Sequence, residues 1–418
     1  MNREILKENF KIADFSKVAM TEKNPKYENC ISRLTEIYKT EYDSRSPFER
    51  DEHRILHSTA YRRLKNKTQV FFATENDHIC TRIEHVTHVA SIAETIAKVL
   101  NLNYELVNAI AIGHDLGHAP FGHQGEYILN DIVLQNKICP RFWHEGNSLN
   151  FIDNIETLPD YQGHFRNMNL TYAVRDGIVC HCGEVNDKVL VPRDEFCDLK
   201  EIQYASHVNA YTYEGCAVKL SDTIAYLGRD IEDALIHHIL SDKQIKELEQ
   251  IIHNAFPNDS LNDISTNAIT YYLIKDLCQN STPEIGLQFS DASFEMMREI
   301  KAYNTENICG HKRLQPFKKY ARLIIETIFE KLDDYFCDDI LKAISKDEKL
   351  YPVLISYFKN WLIRYSEADL EEKSKRLWDN KVIYDIKSHQ MYRKAIIHFI
   401  SAMTDKFAIK VFNEIISF

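Results

Sequence analysis

The stretch HDLGHAPFGHQGE, residues 114–126, decides how this chain is to be read. It places three histidines, an aspartate and a glutamate within thirteen positions, although the whole sequence holds only 18 histidines in 418 residues. It follows YELVNAIAIG (104–113), where Leu106, Val107, Ile110 and Ala111 recur at three and four residues, so His114 and Asp115 close a helix. Adjacent side chains at a helix end can turn toward one point as the backbone leaves the helix. His123 and Glu126 follow three residues apart. The density raises two questions: what chemistry it serves, and which other residues complete the site.

Outward from this stretch, helical periodicity dominates. In HVTHVASIAETIAKVL (85–100), Val89, Ile92, Ala93, Ile96, Val99 and Leu100 form one apolar stripe. CAVKLSDTIAYLGRDIEDALIHHIL (216–240) reads as another long helix, as do 316–332 and 391–416. Strand-like alternation is confined to short pieces such as KVLVP (188–192). Only 12 glycines and 10 prolines argue against a loop-rich β-sandwich. The fold class expected is therefore mainly α: a helical core with a C-terminal helical extension. The organisation expected is an N-terminal segment over 1–42, a core over 43–240, a variable connection over 241–300, and a helical region over 301–418 packed on the core.

Composition excludes several classes. At 44% apolar and 27% charged, the chain is globular and far from the disordered range. A net charge of −11 opposes a constitutive nucleic-acid partner, while leaving room for local basic islands such as YRRLKNK (61–67) and GHKRLQPFKKY (310–320). No apolar run reaches membrane-spanning length and no targeting pattern opens the chain, so a cytoplasmic location and no membrane partner are expected. The ten cysteines form no CxxC pair. CHC at 180–182, with Cys197 or Cys216, matches no common zinc spacing, and the thiols read as reduced and mostly buried.

A mixed set of imidazoles and carboxylates suits a divalent metal: Mn²⁺ or Mg²⁺ first, with Fe²⁺ or Zn²⁺ as alternatives. His114 and Asp115 need further donors. His85 opens the preceding helix, and antiparallel pairing of 85–100 with 104–115 would bring its first turn beside His114. Asp222 lies mid-helix among Val218, Ile224 and Ala225, where a lone charge is costly. From Asp222, the residues Tyr226, Arg229, Asp230 and Asp233 continue one polar stripe.

The order His85, His114–Asp115, Asp222 resembles the HD-domain metal phosphohydrolases. Within them the chain is similar to the deoxynucleoside triphosphate triphosphohydrolases, the dGTPase-like family. The stretches that carry the resemblance include RDEHRILHSTAYRRLKNKTQVF (50–71), HICTRIEHVTHVASIA (78–93), HDLGHAPFGHQGE, WHEGNSLNFI (143–152), NLTYAVRDGI (169–178) and VKLSDTIAYLGRDIEDAL (218–235). AIIHFISAMTDKFAIKVF (395–412) resembles the family's closing helix. The likeness spans 43–240 closely and 300–412 more loosely. HD alone is a weak signal, whereas HDxGHxPFGHxGE is specific; Ala119 stands where the family more often has proline.

The resemblance implies that His85, His114, Asp115 and Asp222 hold one divalent metal. It makes His123 and Glu126 a catalytic histidine with its carboxylate, and His144 a second catalytic-site histidine. Arg82 would contact phosphate, and Gln69, Tyr226 and Asp230 the sugar. The reaction implied is hydrolysis of a dNTP, such as dGTP, to deoxynucleoside and inorganic triphosphate. The partners implied are that substrate and further copies of the chain, in a hexamer or tetramer; an allosteric nucleotide or a single-stranded DNA effector stays open. Two rivals remain: another HD-class phosphodiesterase acting on a cyclic nucleotide or alarmone, and a nucleotide-sensing regulator with a vestigial site. His118 reads as a residue that orients a ligand.

Overall fold

Two well-capped helices carry the first half of the site. In this computed structural model, which describes residues 12–36, 43–71, 79–182, 188–256 and 265–417, Pro47–His57 (α1) starts on a capping box between Ser46 and Glu49. Arg82–Leu100 (α2) ends at Asn101, whose left-handed backbone (φ 63°) lets the chain reverse. Asn103 then caps Tyr104–Gly113 (α3) by accepting from the backbone of Glu105 and Leu106. This three-residue turn makes α2 and α3 an antiparallel pair, and the His85 and His114 rings meet with centroids 5.5 Å apart.

Gly122–Gln135 (α4), His144–Asn150 (α5) and Tyr172–Val179 (α6) follow, and Tyr213–Ile236 (α7) packs along α2, α3 and α6. The polar stripe expected along α7 is not a solvated face: Asp230 and Asp233 are both buried. Gly117 explains how the HD loop seats on α5. A Cβ there would lie 2.1 Å from the Ser148 nitrogen, so no side chain fits. The Gly117 N–H donates to Ser148 Oγ (2.9 Å), and its carbonyl accepts from Asn147 Nδ2 (2.6 Å).

The segment 241–300, whose pattern reads as the least regular, is helical over most of its described residues, in Asp242–Ala255 (α8), Thr266–Asn280 (α9) and Asp291–Tyr303 (α10), the last running just past its end. Their serine caps, Ser241, Ser265 and Ser290, sit inside the polar clusters that resemble loops in the sequence. Two short antiparallel pairs accompany the helices: β1 (Thr157–Pro159) with β2 (Phe165–Asn167), and β3 (Val189–Leu190) with β4 (Leu287–Gln288). Among the described residues no helix is long and apolar enough to cross a membrane.

At the C-terminus, Gln315–Asp333 (α11) packs on α4, and Pro352–Tyr365 (α12) lies farther out. The helix expected over 391–416 is two helices, His389–Ser401 (α13) and Asp405–Ile416 (α14). Thr404 interrupts it by capping α14 through the Phe407 N–H. The break turns Asp405 inward. One of its oxygens accepts from the Thr68 N–H (2.9 Å) and hydroxyl, the other from the Phe121 N–H (2.8 Å). Phe121 has φ 66°, a conformation that costs a non-glycine residue about 1–2 kcal/mol, and this bond helps to hold it there.

Asp405→Ala leaves two buried N–H groups unpaired. It should lower unfolding stability by about 2–4 kcal/mol in denaturant titration, with Asp405→Asn losing less. A loss below about 0.5 kcal/mol for the alanine variant would show that the clamp is not a stabilising contact.

Candidate functional site

His114 Nδ1 lies 2.6 Å from the Ala111 carbonyl, which fixes its proton there and leaves Nε2 as a lone-pair donor. That Nε2 is buried and has no hydrogen-bond partner. Around it stand Asp115 Oδ2 at 3.5 Å and Asp222 Oδ1 at 3.9 Å; His85 Nε2 is 2.9 Å from Asp222 Oδ1 and 3.9 Å from Asp115 Oδ2. His85, His114 and Asp115 offer ligand atoms within 4.8 Å of one another, and so do His114, Asp222 and His181, a set of imidazoles and carboxylates that suits a divalent cation. The structure brings together all four residues expected as ligands. Asp115 is 2% exposed and Asp222 somewhat more open. Burial would raise the Asp222 pKa, but the hydrogen bond and charge of His85 hold it down at about 2.

Arg82, in the first turn of α2, is completely enclosed. Its Nη1 donates to Asp115 Oδ2 (2.6 Å) and its Nε to the Thr68 carbonyl (3.3 Å), while Nη2 has no partner. Gly122, with φ 59°, packs against the same strip of backbone: a Cβ there would lie 3.0 Å from the Gln69 carbonyl oxygen and 3.3 Å from that of Thr68. Gln69 is buried nearby with Oε1 unpartnered. Tyr226 is half-buried one turn beyond Asp222, and Asp230 one further turn along is buried. Burial, reinforced by Asp233 and Asp222, pushes Asp230 up to about 8, so near neutral pH it carries a proton and can donate it in a hydrogen bond.

A second cluster adjoins the first. His123 opens α4 and is 57% exposed, with Nδ1 3.4 Å from Glu126 Oε2. Glu126 is not the partner of His123 alone. The same oxygen lies 3.0 Å from His144 Nδ1, and Oε1 accepts the His144 backbone N–H at 3.0 Å. Burial disfavours charge on both groups. Attraction to Glu145 and then to Glu126 outweighs it at His144, whose pKa is raised well above its ordinary value, and the charge of His144 holds Glu126 well below the carboxylate range. His118 stacks on His144 at 3.9 Å and points Nε2 at Asp115 Oδ1, 3.3 Å away. Burial and Arg82 hold His118 neutral, with a pKa well below its ordinary value. It therefore links the metal-type donors to the carboxylate-bridged imidazoles.

Three further residues border the site. His181 lies between His114 and His144, edge-on to the first and tilted to the second, with centroids 4.8 and 5.4 Å away, and burial with those neighbours pushes it down to about 3. Glu145 and Cys182 adjoin His144. The signal for His181 and Cys182 was the CHC motif, but nothing in its spacing assigns it to this site. Lys67, from the basic island 61–67, is buried and donates to the carbonyls of His118 and Ser401.

Known proteins are similar to this chain in sequence. The HD domain family matches residues 82–186. The deoxyguanosinetriphosphate triphosphohydrolase-like protein of Caldanaerobacter subterraneus subsp. tengcongensis is 33% identical over 301 residues, covering 72% of this chain and 75% of its own. The protein of the same name from Desulfatibacillum aliphaticivorans is 30% identical over 375 residues, 89% of this chain and 88% of its own. The chain belongs to the deoxyguanosinetriphosphate triphosphohydrolase-like family. Its Rickettsia bellii relative is 28% identical over 411 residues, 92% of this chain and 95% of its own. The chain is thus a phosphohydrolase of the HD class, whose domains bind divalent metal ions. Asp222 falls outside the stretch matched by the HD domain, yet the fold places it among the other three donors.

In this phosphohydrolase, Asp222→Ala removes one oxygen donor from a helix whose apolar packing is otherwise kept. Elemental analysis should find the divalent metal largely lost while circular dichroism keeps its helical signal. A full complement of metal in the variant would remove Asp222 from the ligand set.

Proposed function

We propose that the chain hydrolyses a deoxynucleoside triphosphate to the deoxynucleoside and inorganic triphosphate. The observation that supports this reading is a buried group of two imidazoles and two carboxylates, His85, His114, Asp115 and Asp222, next to a carboxylate-bridged pair of imidazoles. A phosphate placed between them meets cationic and proton-donating groups on opposite sides. The metal would be held by His85, His114, Asp115 and Asp222, and when bound it neutralises phosphate charge and orients water.

The chain's own groups supply the rest. Arg82 Nη2 donates to a phosphate oxygen, and its pairing with Asp115 fixes the guanidinium plane. Water attacks the α-phosphorus, the bond from phosphorus to the 5′ oxygen breaks, and the water oxygen leaves with the triphosphate. The departing alkoxide is a poor leaving group and takes a proton from an imidazole. His123, exposed at the mouth and held by Glu126, delivers it, while the charged His144 keeps Glu126 in place. Such a transfer is worth roughly 10²–10⁴-fold in rate. Beyond the phosphates, Tyr226 packs against C2′ of the sugar, and Asp230 and Gln69 hydrogen-bond its 3′ hydroxyl.

Turnover in water enriched in heavy oxygen tests the bond cleaved. The label should appear in triphosphate and not in the nucleoside, and His123→Ala should lose roughly 10²–10⁴-fold in kcat with its metal retained. Diphosphate or labelled orthophosphate as the first product would instead mean pyrophosphatase or stepwise phosphatase chemistry.

The sugar site makes a separate prediction. If the Tyr226 ring excludes a 2′ hydroxyl by contact, Tyr226→Ala should raise kcat/KM for GTP relative to dGTP, whereas Asp230→Ala should weaken both. An unchanged ratio in Tyr226→Ala would take that ring out of the sugar pocket.

A further inference from the structure

The CHC motif is split by the fold. Cys180 turns toward Asp176 and Arg193, its sulfur 3.9 Å from a polar atom of each. Cys182 turns the other way, and with His144 and Glu145 it offers one sulfur, one nitrogen and one oxygen within 4.8 Å of one another. Glu145 is 1% exposed, and its Oε1 has no hydrogen-bond partner. Its Oε2 lies 3.3 Å from His144 Nδ1, the same nitrogen that Glu126 Oε2 approaches to 3.0 Å. Two carboxylates therefore compete for one imidazole, and a buried oxygen is left over. Unpaired buried carboxylate oxygens are costly, and the adjacent thiol brings no positive charge to offset this one.

We propose that His144, Glu145 and Cys182 form a second metal site, separate from the four HD donors, which takes a soft divalent ion such as Zn²⁺ and withdraws His144 from the reaction when filled. The donor chemistry selects the ion. A thiolate with an imidazole and a carboxylate suits zinc, whereas magnesium and manganese prefer oxygen-rich sets. Binding is proton exchange without redox change. The Cys182 thiol and the His144 imidazolium each release a proton to solvent, and the freed lone pairs pass to the metal. Glu145 then satisfies the cation with the oxygen that has no partner. With its imidazole bound, His144 keeps only its backbone N–H bond to Glu126 Oε1; the ring contact that holds Glu126 Oε2 beside His123 is lost. The site itself stands on geometry alone; its inhibitory effect rests on the reaction proposed above.

Cobalt is the probe, because a thiolate ligand gives Co²⁺ a charge-transfer band in the near ultraviolet that imidazole and carboxylate ligands do not. Full-length protein with its HD site saturated by Mn²⁺ is titrated with Co²⁺. The band should grow to a single equivalent per chain and collapse on adding Zn²⁺. It should vanish in Cys182→Ser and persist in Cys180→Ser. Glu145→Gln should weaken binding about tenfold or more. No band in the parent protein, or a band that survives Cys182→Ser in a normally folded variant, overturns the site. In parallel, Zn²⁺ should reduce Mn²⁺-supported dNTP turnover at least tenfold in the parent and far less in Cys182→Ser. Equal inhibition of the two overturns the control assigned to this site. A protein that shows the band but no dNTP turnover retains the site and loses only the proposed reaction.

Discussion

A buried carboxylate, Asp115, is the constraint on which the site depends. An aspartate that is 2% exposed must be compensated, and this one meets Arg82 at 2.6 Å, His118 at 3.3 Å and His114 at 3.5 Å. Each partner belongs to a different piece of backbone. Arg82 starts α2, His114 ends α3, and His118 begins the loop toward α4. Satisfying one charge thus sets the helix pair, orients the guanidinium and places the loop that leads to His123. The same arrangement leaves His114 Nε2 and Arg82 Nη2 buried without partners, which is what a site awaiting a cation and an anion requires.

The C-terminal region is part of this site. Asp405 holds Thr68 and Phe121, and Lys67 bridges the carbonyls of His118 and Ser401. Through Asp405 and Ser401 these contacts tie the last two helices to segments more than 280 positions earlier in the sequence. The turn immediately before His123 is strained at Phe121, which has positive φ, and Gly122 follows it with positive φ at no cost to a glycine. A non-local clamp maintains that turn, so truncating the last helices would remove more than a peripheral layer.

The proton inventory sorts neighbouring histidines into different tasks. His118 and His181 are held neutral by burial, while His144 is held charged by Glu126 and Glu145. All three pack within one aromatic cluster: His144 lies 3.9 Å from His118 and 5.4 Å from His181. Residue type alone assigns none of these states, because the neighbouring charges decide them.

The sequence by itself determined the helical class and the α2–α3 pair, and it singled out the four residues that the fold gathers at one place, because periodicity and local spacing carry that information. His85 and His114 lie at matching ends of two adjacent helices, and Asp222 stands out as a charge in an apolar run. Other features were outside its reach. The serine caps of α8, α9 and α10 resemble loop residues until the helices following them pack, and the break at Thr404 falls inside continuous apolar periodicity. The spacing of His123 and Glu126 was legible; that Glu126 also holds His144, 18 residues away, was not. Only the tertiary structure decided which carboxylates meet which imidazoles, and which half of the CHC motif faces the site. Those pairings depend on how helices distant in the chain approach one another, and that approach is set by burial of their apolar faces, not by the spacing of the polar residues they carry.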